Sequence, residues 1–242
     1  MMLTFYRGIT VNPEDEGRVR ENIFTNGLRV EDSRSWKGFE CVKLQSKVKN
    51  LLYKEDLTPR DTRNAIIESE LESDSLKKSQ AYLSICASGC KLGASYYALK
   101  HNYNRRANLT SPLLISFKAP VEDLQIDGRD FLYSVFQRSS TLKDIEQLEE
   151  LFGPKVRLYF DLAASTPQEN QDRKIALCDL AIQDKQVIRD HKKNKTTING
   201  RYGVIFKSAF LVRAPIPAQR IVSVDRPKGE IFQPAINVYE FA

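Results

Sequence analysis

Histidine, cysteine and tryptophan are scarce in this chain: two histidines, four cysteines and one tryptophan stand among 242 residues. His101 and His191 lie far apart. Cys41, Cys86, Cys90 and Cys178 lack the two closely spaced ligand pairs that form a tetrahedral zinc site. The expectation is reduced, mostly buried thiols and no metal. No apolar run is long enough to cross a bilayer, and residues 1–12 hold no signal-peptide core. These absences predict a cytoplasmic protein with no membrane partner. Repeats and low-complexity tracts are missing too. No linker interrupts the chain, so residues 1–242 read as a single domain.

Basic residues outnumber acidic ones, 37 Lys+Arg against 31 Asp+Glu, for a net charge of +6. The excess favours an anionic ligand or nucleic acid over an acidic partner, and it also serves as a margin of solubility. A hydrophobic content of 41% supports one sizeable core.

The chain opens on Leu3-Thr4-Phe5-Tyr6-Arg7-Gly8, whose alternation predicts a strand ending in arginine and glycine. An arginine fork beside a glycine can meet an anion closely, because glycine lets backbone and ligand approach. A solvated arginine before a turn is the plainer reading of the same residues.

Asn12-Pro13-Glu14-Asp15-Glu16 starts a helix, with Val19, Ile23 and Phe24 on one face and Gly27 as its end. A second helix is expected from Thr58 to about Leu71, and a mobile loop over 68–80. Tyr82 to Ala87 reads as a strand, broken by Gly89 and followed by a helix carrying Tyr96 and Tyr97. Leu113 to Phe117 is a strand, Asp127-Gly128 a turn, and Thr141 to Phe152 an amphipathic helix. Val156 to Leu162 is expected as a strand.

Thr166-Pro167-Gln168-Glu169 is a capping box. Its helix fades into His191-Lys192-Lys193-Asn194-Lys195, expected as a solvated end. The remainder is mostly strand: 203–206, 209–212, 220–224 and 236–241. This order predicts an α+β fold with a β core and helices packed at its sides.

Three strands carry more than packing residues. They are Phe5-Tyr6-Arg7-Gly8, then Tyr82-Leu83-Ser84-Ile85-Cys86 running into Tyr96-Tyr97-Ala98, and finally Phe206-Lys207-Ser208-Ala209-Phe210-Leu211-Val212 before Pro215-Ile216-Pro217. In order and spacing, over most of the chain, this resembles the Arg-Ser-Glu class of ADP-ribosyltransferases. The resemblance implies a split β-sheet core with flanking helices that grips NAD+ as substrate in a cleft. It implies that Arg7, beside Gly8, holds a phosphate or ribose. It implies that Ser84 bonds the nicotinamide ribose, with Ser88 as a substitute, and that Tyr96 or Tyr97 lines the nicotinamide pocket.

The chain departs from the pattern in two places. The middle motif is Ser84-Ile85-Cys86 where Ser-Thr-Ser is common in the family. The expected catalytic glutamate is replaced by Ala209, which can neither stabilise a cationic ribose nor orient its hydroxyl. Either the chain is a natural inactive relative or the acid was replaced so that a toxic enzyme could be made, and the retention of Arg7 and Ser84 favours the second. Glu230 and Glu240 are the alternative carboxylates, both expected at the surface.

The resemblance also makes the loop before Ala209 the acceptor-selecting segment, with Arg201, Tyr202 and Lys207 as acceptor contacts. Lys207 stands where arginine-modifying members place a second glutamate, so an arginine acceptor is disfavoured. Lys207, Arg201, the basic run 191–195 and Arg105-Arg106, read together as a groove, put a nucleic-acid acceptor ahead of a protein, with unrelated surface charges as the plainer reading. A bacterial toxin of a toxin–antitoxin or anti-phage system, held by an antitoxin protein, is the implied setting. An NAD+ glycohydrolase and a non-catalytic basic nucleic-acid-binding module are the alternatives.

Overall fold

The structure, a computed structural model, describes residues 2–29, 35–36, 39–40, 77–78, 82–104, 110–127, 132, 136, 142–165, 171–194, 198–199, 205–206 and 208–227. It is mixed helix and strand, built on one antiparallel sheet. The main strands are β1 (Met2–Val11), β2 (Tyr82–Ser88), β3 (Ser111–Pro120), β4 (Leu124–Ile126), β5 (Ala209–Arg213) and β6 (Ile221–Asp225). Their order across the sheet is β6-β3-β1-β2-β5-β4, and Ser35–Trp36 pairs with the start of β2. The helices are α1 (Glu16–Asn26), α2 (Lys91–Asn104), α3 (Leu142–Phe152), α4 (Val156–Ser165), α5 (Gln171–Gln183) and α6 (Lys185–Lys193).

Alternation along β1 sends successive side chains to opposite faces of the sheet. Phe5 is fully buried and packs on Phe117 and Phe210, with ring centroids 6.2 and 5.1 Å away. That face carries the main core and meets α3 to α6, through His191 stacked on Phe152 at 4.9 Å and set edge-on to Phe210 at 5.2 Å. Gly8 is on the other face, under α2. A Cβ there would stand 2.2 Å from the carbonyl oxygen of Ala94 and 2.8 Å from the nitrogen of Ala98.

Helix and strand touch backbone to backbone at Gly8, so the space expected for a ligand belongs to α2. Gly8→Ala should lift the helix and destabilise the fold by about 2 kcal/mol or more, read from denaturant unfolding. An unchanged unfolding midpoint would contradict this packing.

Several sequence expectations need correction. Val156–Ser165 is a helix where a strand was expected, and its buried residues Val156, Tyr159, Phe160 and Ala163 follow helical spacing. The basic stretch after Asp190 is not a solvated tail. Asp184 starts a separate helix, accepting hydrogen bonds from the nitrogens of Gln186 (2.8 Å) and Val187 (3.1 Å), and His191 in that helix is only 2% exposed.

On α1, Ile23 is buried while Phe24 is half exposed. Asn12 makes no cap bond to the backbone, and a short 3-10 turn, Pro13–Asp15, leads into α1 instead. Gly27 does end α1, at φ +75°, and frees Leu28 to exchange two backbone bonds with Ile216 at 2.9 Å each. Of the cysteines, Cys178 is buried while Cys86 and Cys90 are partly exposed. No described helix is long and apolar enough to cross a membrane. The expected helix at 58–71, the capping box at 166–169 and the strand at 236–241 lie outside the described residues, as does most of the 68–80 loop.

Candidate active site

β1 and β3 are zipped together along the whole of Met2–Val11, but β1 and β2 share a single register pair, Tyr6 with Ser88. Beyond it the two strands part, while β2 stays paired with β5 down to Ser84 opposite Arg213. A seam therefore opens between β1 and β2. Arg7 stands at its apex. Its Nη1 donates to the carbonyl oxygen of Cys86 at 2.7 Å, satisfying an acceptor that a continued ladder would have bonded from a backbone amide. The guanidinium thus lies between two strands, half-buried, with further N–H donors on its fork.

The sheet register decides which expected residues come together. Ser84 is buried and sits at the far end of β2 from Ala209, about 13 Å along the strand at about 3.3 Å per residue. The serine opposite Ala209 is Ser88, which also faces Tyr6 across the β1–β2 pair. In-register partners share a face. Tyr6, Ser88 and Ala209 therefore form one row on the face of Gly8 and α2, each partly exposed. Ser88 Oγ accepts a hydrogen bond from the nitrogen of Cys90 at 3.0 Å, which ties the row to the start of α2.

Arg7 belongs by alternation to the face of Phe5. A second cation adjoins Phe5, with Lys192 Nζ 5.5 Å from the ring centroid. Burial pushes the pKa of Lys192 below the usual lysine range, opposed by the nearby Cys90. Among the described residues, no carboxylate is paired with Arg7 or Lys192.

Of the expected nicotinamide contacts, Tyr96 is partly exposed on α2 and Tyr97 is half exposed. Arg201, Tyr202, Lys207, Glu230 and Glu240 lie outside the described residues. No group of metal-ligating side chains occurs among the described residues. A cavity of about 490 Å³ lies elsewhere, between the end of α1 and the turn after β5, lined by Thr25, Asn26, Arg29, Pro215, Pro217 and Gln219.

His191 supports the start of β5 from below. Its Nδ1 is 3.0 Å from the carbonyl oxygen of Leu151, and since a carbonyl only accepts, Nδ1 carries the proton. The backbone of Ala209 lies on the other side of the ring, but Nε2 finds no partner of good geometry there. The Lys192 position, the Ser88 row and this buried imidazole were not legible as a site in the sequence. Each depends on strand register or helix docking between distant segments.

Compared with known proteins, the chain matches no family model, no curated protein and no solved structure.

Proposed function

We propose that the β1–β2 seam binds NAD+ and that the chain is an ADP-ribosyltransferase-type protein acting on a macromolecular acceptor, with nucleic acid favoured over protein. The observation that carries this reading is the arginine at the apex of a parted pair of central strands. A guanidinium held in that position by the Cys86 carbonyl keeps donors for a diphosphate, and phosphate oxygens match its fork. Lys192 is a second cation on the Phe5 face of the sheet. The split core named in the resemblance corresponds in this reading to the seam.

The biological setting, a bacterial toxin restrained by an antitoxin protein in toxin–antitoxin or anti-phage defence, follows from the resemblance alone. The split-core fold type and the assignment of NAD+ rest on the same footing.

Binding without turnover is the second reading, favoured by the alanine at position 209. Calorimetric titration of NAD+ addresses the cleft itself. The unmodified chain should bind, and Arg7→Ala should weaken binding at least about tenfold through loss of charge-assisted hydrogen bonds. Equal affinity in the two proteins would remove Arg7 from the site, and no binding by either would end the NAD+ reading.

A further inference from the structure

The end of α1 and the turn after β5 are tied backbone to backbone. Leu28 exchanges two hydrogen bonds with Ile216. A Cβ on Gly27 would run into the carbonyl oxygen of Ile216 and stand 2.8 Å from the nitrogen of Ala218. The tie fixes the spacing of the two segments, and the cavity of about 490 Å³ stands open between them. That volume is within the range of small-molecule sites.

The cavity has three kinds of wall. Pro215, Pro217 and Ala218 make one side apolar. Among the described residues, Arg29 is the one charged member of the lining, and its guanidinium has no hydrogen bond or ion pair. The third wall is the last turn of α1, through Thr25 and Asn26. The nitrogen of Gly27 donates to Ile23 and that of Leu28 turns to Ile216. Among the described residues, the carbonyls of Phe24, Thr25 and Asn26 therefore accept no backbone hydrogen bond. Unfilled carbonyls at a helix C-terminus are a negative end that favours cations.

These two charges select the ligand. A phosphate would gain from Arg29 but meet the negative helix end, and a simple amine would meet the reverse. A molecule that carries an ammonium and a carboxylate together gains from both. Its remaining part would cover the proline wall, and burial of apolar surface there favours a large apolar group.

Independently of the NAD+ reading, we propose that this cavity binds a free α-amino acid with a large apolar side chain. The carboxylate pairs with Arg29, the ammonium donates to the last carbonyls of α1, and the side chain lies on Pro215, Pro217 and Ala218.

The test titrates the full chain with L-phenylalanine, L-tyrosine, L-tryptophan and L-leucine, followed by NMR and calorimetry. At least one should bind with a Kd of about 5 mM or tighter, the scale for about a dozen heavy atoms. Arg29→Ala should weaken that binding at least about tenfold through loss of a charge-assisted pair. Ala218→Phe, which fills the cavity, should abolish it in a protein shown by its unfolding transition to be folded. The amine and the acid that share the tightest binder's side chain should each bind at least about fivefold more weakly than the amino acid. Excess NAD+ should not displace the amino acid, whether or not NAD+ itself binds, so either reading can fail without the other. Binding by none of the four, equal affinity in Arg29→Ala or Ala218→Phe, an amine or acid as tight as the amino acid, or displacement by NAD+ would overturn the proposal.

Discussion

Phe210→Ala is expected to destabilise the protein by about 3–5 kcal/mol, the range for removing a fully buried aromatic ring. The ring is 0% exposed and sits between two others, 5.1 Å from Phe5 and 5.2 Å from His191. Phe5 joins β1 to the core, and His191 joins α6 and the end of α3. The cavity left by truncation would therefore open where sheet and helices meet. Rigid backbone on both sides limits collapse into it. Denaturant unfolding reads the loss, with Val222→Ala on β6, 54% exposed, as a control expected within about 0.5 kcal/mol of the unmodified chain. A loss below about 1 kcal/mol for Phe210→Ala would mean that this aromatic junction does not join the layers.

Acid should weaken the fold first through His191. Burial pushes the imidazole down to about 4 from its ordinary 6.5, against the opposing pull of backbone groups at Leu151 and Ala209. The sign follows from which state holds the proton. Between 6.5 and about 4 the unfolded chain protonates this histidine and the native chain does not, so stability falls as pH falls through that window. Below about 4 both states are protonated and the loss is complete. The size is about 3 kcal/mol at about 1.4 kcal/mol per pH unit.

Glu16 acts in the adjoining range. Its hydrogen bonds to Arg226 (2.5 Å) and Arg20 hold it down to about 2 from 4.5, so its contribution, complete above 4.5, is lost as pH falls toward 2. Unfolding free energies at a series of pH values should slope through the histidine window in the unmodified chain. In His191→Phe they should be flat there, whatever that variant's absolute stability. An equal slope in both proteins would place the titration elsewhere.

The elements that announce themselves locally were legible in the sequence. β1 shows its period of two, and Gly27 marks the end of α1 by a positive φ that few other residues accept. The amphipathic pattern at 141–152 gives α3. Val156 to Leu162 misled because a short apolar run fits either period, and only the spacing of buried Val156, Tyr159, Phe160 and Ala163 separates helix from strand. His191 misled because its basic neighbours suggest solvent, whereas the Asp184 cap starts a new helix and turns that face inward.

The candidate site was half legible. An arginine at the end of β1 could be singled out from residue order. That it stands at the parting of β1 from β2 could not, because β2 lies far along the chain from β1. The same holds for the serine. Ser84 and Ser88 are on the same face of the same strand, and only pairing with β1 and β5 shows that Ser88 is the one beside Ala209.

The crystal structure of the chain with NAD+ tests the central claim most directly. The dinucleotide should lie at the opening between β1 and β2, with diphosphate oxygens within hydrogen-bond distance of the Arg7 guanidinium. NAD+ seated instead in the cavity between Asn26, Arg29 and Pro215, or anywhere out of reach of Arg7, would contradict the account.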